Sequence, residues 1–334
     1  MNGLLSLTLS ELENIITELG EKKFAAKQLR AWLCKGVAFD DMSNLSKSLR
    51  EKLKVGYTEG YARIEKKLTS KDGTIKYLLK MTDGHLIECV VMDYHHGRTL
   101  CVSTQVGCRM GCAFCASGLD GLVRQLTAAE MLSELIAAKE SGEINNVVLM
   151  GSGEPLDNYD NVIAFIRAMQ AEFGIGQRHI SLSTCGLVPG ILKLADEQLS
   201  VTLCLSLHAA LDEKRKQLMP VANAYSVSEI IGAAKTFFKK TGRRIIIEYT
   251  LIRGFNDAKE DIDALNRVLK GLNCHINVIP INHAAGEFLP PSKTESYAFA
   301  AELERNGLSA TVRRALGSDI EGACGQLKRR AGEK

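Results

Sequence analysis

The first 55 residues carry their apolar positions at helical spacing. In MNGLLSLTLSELENII, Thr8 or Ser10 can cap a helix, and Glu11 or Glu13 stands three residues on as the capping-box partner. In EKKFAAKQLRAWLCKG, Phe24, Leu29, Trp32 and Leu33 fall on one stripe, while Lys22, Lys23, Lys27 and Arg30 fall mostly elsewhere. The pattern predicts a small helical module with a basic face over 1–55, in which Cys34 is a packing residue. From about residue 60 the period shortens. Lys76–Met81, His85–Met92 and Arg98–Val106 alternate as strands do, and Asp83-Gly84 makes a turn between the first two. Residues 56–97 are therefore expected to form a β-rich connecting extension.

Beyond residue 97, strands and helices alternate. The expected strands are Leu100–Ser103, Asn146–Met150, His179–Thr184, Val201–Leu207, Ile245–Leu251, His275–Ile281 and Ala310–Arg313. Capping boxes at Thr127–Glu130 and Ser226–Glu229 open two of the intervening helices. Repeated β-α units predict an α/β domain over 98–334 with a parallel sheet, open or curled into a partial or full barrel. Such folds bind ligands at the carboxyl ends of their strands. Gly151–Glu154, Ser183, Ser206–His208 and Asn282 all lie there. No internal repeat or low-complexity linker interrupts the pattern.

Composition narrows the setting. The 334 residues are 46% apolar and 24% charged, with a net charge of only +3, which permits a polyanionic partner without demanding one. The first 70 residues hold 12 Lys/Arg against 9 Asp/Glu, and residues 313–334 hold 6 against 3, with Lys328, Arg329 and Arg330 contiguous. No apolar run approaches membrane-spanning length, and no signal peptide is read at the N-terminus. Ten cysteines without a secretion signal point to a reducing, cytoplasmic compartment and to metal or catalytic use.

Three of those cysteines carry the chemistry. Cys108, Cys112 and Cys115 in GCRMGCAFCASG follow a C-x3-C-x2-C spacing. A cube of four irons held by three cysteines keeps one iron open to a small molecule, whereas structural zinc and electron-transfer ferredoxins want four protein ligands. Gly107, Gly111 and Gly118 are expected to let the backbone wrap around a bulky cluster. The second run is MGSGEP, Met150 to Pro155, directly after an apolar strand. There the glycines allow a ligand to approach, and Glu154 can accept from an ammonium group.

CRMGCAFC followed by GSGEP resembles the radical S-adenosylmethionine enzymes. RTLCVSTQVGCRMGCAFCASG, GSGEPLDN, LSTCG, SLHAALDEKR, INVIP and DIEGACGQL, in that order, narrow the resemblance to RNA adenine-carbon-2 methyltransferases of the RlmN type over roughly residues 85–327. The resemblance implies a partial (β/α) barrel of the radical S-adenosylmethionine type preceded by the helical RNA-binding module. It implies one [4Fe-4S] cluster on Cys108, Cys112 and Cys115, and two S-adenosylmethionine molecules consumed per turnover. It implies S-adenosylmethionine contacts from Gly153, Glu154, Ser183, Ser206, Leu207, His208 and Asn282. Cys324 matches the methyl-carrying cysteine, Cys101 its partner cysteine, and Glu88 the proton acceptor. In the implied mechanism one S-adenosylmethionine methylates Cys324, and a second yields a radical that takes a hydrogen from that methyl group. The carbon radical adds to adenine carbon 2, and a base removes the proton there. Cys101 then attacks the sulfur of Cys324, freeing the product and leaving a disulfide.

The implied substrates are an adenine in the peptidyl-transferase region of 23S rRNA and, for some members, the adenine 3′ of the anticodon in certain tRNAs. The implied reductant is flavodoxin or ferredoxin. Other readings stand beside these. Pattern alone reads Cys101 equally as core packing and allows His208 to be a core histidine, whereas Glu88 in an apolar strand needs a reason. Cys89, Cys185, Cys204 and Cys274 read as core. The alternatives for the whole chain are a Cfr-type enzyme acting on carbon 8 of the same adenine, and a non-catalytic RNA-binding protein with a structural metal.

Overall fold

A computed structural model describes residues 2–282 and 288–327; the basic run Lys328-Arg329-Arg330 lies outside the described residues. Three helices open the chain: α1 (Leu9–Glu18), α2 (Phe24–Leu33) and α3 (Lys47–Gly56). Of the candidate caps, Thr8 starts α1. Its hydroxyl accepts from the Glu11 N–H at 3.3 Å, and the Glu11 carboxylate accepts from the Thr8 N–H at 2.7 Å. A cap of this kind contributes about 1 kcal/mol. Leu12, Ile16, Leu29, Leu33, Leu49 and Leu53 close a core of their own with Leu4 and Phe39. Phe24 departs from the expected stripe and is 60% exposed. The buried face of α2 runs through Ala25, Ala26, Leu29 and Leu33, and at about 100° per residue Phe24 points roughly opposite Ala26. Cys34 is buried, and its thiol also donates to Glu172 at 2.8 Å, the carboxylate with which Arg30 pairs at 2.8 Å. These contacts fasten the helical module to the rest of the chain.

The strands are β1 (Asn2–Gly3), β2 (Tyr57–Thr58), β3 (Arg63–Thr69), β4 (Ile75–Lys80), β5 (Leu86–Tyr94), β6 (Gly97–Cys101), β7 (Gln105–Gly107), β8 (Leu122–Gln125), β9 (Asn146–Leu149), β10 (Ile180–Thr184), β11 (Thr202–Ser206), β12 (Ile245–Leu251), β13 (Cys274–Pro280) and β14 (Ala310–Val312). The pair β1-β2 ties the chain start to the end of α3, and β7-β8 is a separate ribbon. The remaining ten form one sheet, ordered β14-β13-β12-β11-β10-β9-β6-β5-β4-β3. From β6 to β14 all neighbours are parallel and follow chain order. The connecting helices are α4 (Ala128–Ala138), α5 (Tyr159–Phe173), α6 (Val188–Asp196), α7 (Asp212–Leu218), α8 (Val227–Thr241), α9 (Lys259–Leu269) and α10 (Lys293–Arg305). The two ends of the sheet do not pair with each other, so the expected partial (β/α) barrel is what forms. The antiparallel strands β5, β4 and β3 carry it past β6.

One expected strand divides. Arg98–Val106 reads as continuous, but the ladder of β6 loosens after Cys101. The Ser103 N–H donates to the buried Glu134 carboxylate at 3.0 Å, and the N–H groups of Thr104 and Gln105 both donate to the Ser152 carbonyl. These tertiary bonds pull the chain out of the sheet into the ribbon that precedes the cysteine loop.

Candidate active site

The cysteine loop leaves β7 and closes in a single turn at Ala116–Gly118. Gly107 starts it at φ +79°, where an added Cβ would collide with the Gly121 carbonyl oxygen. Its freedom lets the chain close on that carbonyl, to which the Cys108 N–H donates at 3.1 Å. Cys108, Cys112 and Cys115 are free thiols that share one cavity of about 170 Å³. Burial pushes the Cys108 thiol up to about 11 and raises those of Cys112 and Cys115 as well. Three thiolates in so dry a place need positive charge beside them, which irons supply. Among the described residues no three His, Cys, Asp or Glu side chains converge on a single metal ion. In a [4Fe-4S] cube each of three cysteines takes its own corner, so the thiols need not meet on one ion. The donor set fits the cluster.

The same cavity is lined from the carboxyl ends of consecutive parallel strands. Gly153, Glu154, Ser183, Ser206, His208 and Asn282 all reach it. Gly153 stands at φ +105°, where a Cβ would meet Gln105 at 2.6 Å. The buried Glu154 carboxylate accepts from the Cys185 N–H at 2.7 Å and the Leu156 N–H at 3.0 Å. Burial raises its proton affinity and these backbone bonds oppose that. The hydroxyls of Ser183 and Ser206 lie 3.3 Å apart on adjacent strands. The His208 ring packs edge-on against Phe114 at 4.8 Å. Its Nδ1 accepts from the Thr250 N–H at 3.0 Å, which leaves the proton on Nε2. Burial, helped by Arg215, lowers its pKa to about 3, so the ring is neutral. Two expected residues do not line this cavity: Leu207, whose side chain belongs to the main core, and Glu88.

Two residues overlooked in the sequence hold this rim in shape. Arg215 on α7 is fully buried. Its Nε donates to the Leu207 carbonyl at 3.1 Å, and one Nη donates to those of Cys185 at 2.6 Å and Ser206 at 3.3 Å. It clamps the ends of β10 and β11 together. Asn256 donates to the carbonyls of His208 and Thr250, each at 2.8 Å, and accepts from the Ile252 N–H. It thereby secures His208 at φ +57°. Arg215→Met should take the guanidinium from the Cys185 and Ser206 carbonyls in a dry site, while that of Leu207 keeps the Ala209 N–H at 2.7 Å, and lower unfolding free energy by about 2–4 kcal/mol. Urea denaturation would read this, and a loss under about 1 kcal/mol would contradict the clamp.

Cys324 sits at the cavity mouth and is exposed. Its loop is pinned on both sides. Asn282 donates to the Cys324 carbonyl at 3.0 Å, the Ala116 N–H donates to the Gly325 carbonyl at 2.8 Å, and the Ser117 hydroxyl donates to that of Leu327 at 2.8 Å. The C-terminal segment is thus fastened to the cysteine loop. Next to the main cavity is a smaller one of about 40 Å³, lined by Cys324 and also by Cys101. Arg313 lines both cavities and pairs with Glu248 at 3.6 Å. Burial raises the Cys101 thiol, followed by the nearby Cys324, while Arg313 opposes this.

Glu88 occupies a different spot on the same face of the sheet, since Val90 of β5 stands directly opposite Cys101 of β6. Its carboxylate pairs with Lys76 at 3.1 Å, both side chains being under 5% exposed. Lys76 Nζ also donates to the Glu321 carbonyl at 3.1 Å, three residues before Cys324. The carboxylate that the sequence left unexplained is therefore a paired one, joined through lysine to the Cys324 loop.

Comparison with known proteins gives the family and the fold. Residues 102–265 match the family model of the radical SAM superfamily, and residues 2–57 match that of the ribosomal RNA large subunit methyltransferase N-terminal domain. A relative from Clostridium perfringens (strain SM101) is 53% identical over 337 residues, covering 98% of this chain and 97% of its own. One from Clostridioides difficile (strain 630) is 49% identical over 332 residues, covering 97% of each. Both bear the name "Probable dual-specificity RNA methyltransferase RlmN". The crystal structure of a radical SAM methyltransferase from Sphaerobacter thermophilus superposes with a TM-score of 0.94 at 40% identity, covering 99% of this chain and 100% of its own.

Proposed function

Because the chain belongs to the RlmN-type radical S-adenosylmethionine RNA methyltransferases, we propose that it methylates carbon 2 of an adenine in the peptidyl-transferase region of 23S rRNA and the adenine 3′ of the anticodon in some tRNAs. One observation carries this reading. Cys101 and Cys324, more than two hundred residues apart in sequence, line one small cavity beside the cysteine loop. Adenine carbon 2 is electron-poor, so a methyl group cannot pass to it from a sulfonium by simple displacement. Carriage on a protein sulfur answers that difficulty.

The family's cofactors are a [4Fe-4S] cluster, held here by Cys108, Cys112 and Cys115, and S-adenosylmethionine. When bound and reduced, the cluster supplies the electron that splits S-adenosylmethionine. The rim formed by Gly153, Glu154, Ser183, Ser206, His208 and Asn282 holds S-adenosylmethionine. Leu207 serves it through the backbone bend between Ser206 and His208. Cys324, exposed at the mouth, takes the methyl group and presents it to RNA. Glu88, held by Lys76 at 3.1 Å, accepts the carbon-2 proton. Once the adduct has given up its odd electron to the redox carrier and its carbon-2 proton to Glu88, the Cys101 thiolate, favoured by Arg313 against the cost of burial, attacks the Cys324 sulfur. A sulfur–sulfur bond forms as the sulfur–carbon bond breaks, and the freed carbon keeps that electron pair and takes up a proton to become the methyl group. The disulfide is then reduced by thiols, and flavodoxin or ferredoxin feeds the cluster. Residues 1–55 would bind RNA, 56–97 connect and 98–334 catalyse, in the reducing cytoplasm.

Nucleoside mapping tests the reading. Anaerobically reconstituted protein, incubated with 23S rRNA and with total tRNA, should leave 2-methyladenosine in both, seen by mass spectrometry of the digests. Finding 8-methyladenosine without 2-methyladenosine would replace it with carbon-8 chemistry. About one zinc per chain, no iron and no cleavage of S-adenosylmethionine would replace it with a binding protein.

A further inference from the structure

Strands β3 and β4 lie between the two stretches matched by family models, and the chemistry above uses only Lys76 from them. Their register gives the rest a direction. Cys101 stands opposite Val90, Val90 opposite Lys76, and Lys76 opposite Leu68, so these four share one face of the sheet. Two residues along each strand the same face shows Glu88, Leu78 and Lys66; two further it shows Leu86, Lys80 and Arg63. A bulge between Ile64 and Lys66 keeps the cations on this side. Because β5 runs against β6, the progression from Val90 to Leu86 heads toward the carboxyl ends of the parallel strands, where the cavity opens. At about 3.3 Å per residue and 4.8 Å per strand, Lys80 and Arg63 lie about 13 Å beyond the level of Cys101 and about 10–15 Å to its side.

Charge on this face is lopsided. Arg63 is directly opposite Lys80, a like-charged pair that costs a few tenths of a kcal/mol. Arg63, Lys66 and Lys80 are exposed, and none forms an ion pair among the described residues. Lys67, on the opposite face, does find one with Glu140 at 2.8 Å. A row of unpaired cations beside the mouth of an RNA-modifying site has one natural complement.

We propose that Arg63, Lys66 and Lys80 form a phosphate-binding face that holds the substrate RNA's backbone and directs the target adenine past the Lys76–Glu88 pair to Cys324. This rests on RNA being the substrate. It adds a second contact surface to the helical module, on the same sheet as Cys101.

The test uses full-length reconstituted protein and a fluorescently labelled transcript of the peptidyl-transferase region of 23S rRNA. The Arg63→Gln, Lys66→Gln, Lys80→Gln triple variant should bind about tenfold more weakly, and its log Kd against log salt slope should flatten by about 2–3. A control triple, Lys235→Gln, Lys239→Gln, Lys259→Gln, removes equal charge from exposed positions of α8 and α9 and should bind as wild type does. Lys80→Glu alone gives Arg63 a partner and should hold or raise the melting temperature while weakening RNA binding. Equal losses in both triples, or wild-type affinity and slope in the first, would overturn the inference. So would aggregation of the first triple with RNA affinity intact, which would make the lysines guards of an edge strand. If wild-type protein fails to bind the transcript, RNA itself falls as the substrate, and this face with it.

Discussion

Cys324→Ala protein should transfer no methyl group to RNA above background, while still binding the cluster and S-adenosylmethionine. The loss is total because no other thiol stands at the mouth in the same way: Cys324 is the exposed cysteine of the cavity, whereas the other thiols there are buried or belong to the cysteine loop. Misfolding would not account for it. The side chain is exposed, and the bonds that fix its loop come from the carbonyls of Cys324, Gly325 and Leu327, which alanine keeps. Radiolabel from S-adenosylmethionine counted in RNA reads transfer, and iron content together with S-adenosylmethionine binding reads the surviving half. Methylated RNA from this variant at even a tenth of the normal rate would show that the carrier is another group.

Cys101→Ala protein should become trapped on its substrate. If the Cys101 sulfur is what displaces product from Cys324, its removal leaves the carbon–sulfur bond to RNA with no partner to break it. A covalent protein–RNA species should build up during one turnover, survive a denaturing gel and collapse to free protein on nuclease treatment. Cys101 is buried on β6 opposite Val90, so alanine leaves only a small cavity, costing on the order of 1 kcal/mol, and the fold should persist. Free methylated RNA at the wild-type rate would strip Cys101 of its role and return it to core packing.

The parallel ladder was legible because its strands, covered on both sides, read as near-continuous Val, Ile and Leu runs, as in NVVL and IIIEYTL. β3 was not, because RIEKKLT is an exposed edge strand whose partner is set by register rather than by hydrophobicity. The break after Cys101 was hidden for a related reason: Glu134 and the Ser152 carbonyl, which cause it, come from distant segments. Within the site, the three cysteines and the polar strand ends converge as their positions suggested, since strand ends in a parallel sheet share one rim. Leu207 could have been separated from Ser206 and His208, because successive residues at a strand end face opposite sides. Arg215 was also visible as an anomaly: it stands one turn before the buried Leu218 on an otherwise polar helix, on the side that faces the core, where an arginine needs bonding partners. The pairing of Glu88 with Lys76, and of Lys76 with the Cys324 loop, needs the register of β4 and β5 together with the path of the C-terminal segment. No local pattern encodes that.

The central claim is that the methyl group travels through Cys324, and a pulse–chase on the protein tests it most directly. Reconstituted enzyme is exposed to isotope-labelled S-adenosylmethionine, freed of it, and then given RNA with unlabelled S-adenosylmethionine; the peptide holding Cys324 and the RNA nucleosides are followed by mass spectrometry. The account predicts one labelled methyl group on Cys324 before RNA is added, and its carbon in 2-methyladenosine afterwards. Label absent from Cys324, with methylated adenosine carrying only unlabelled carbon from the first turnover onward, would contradict it.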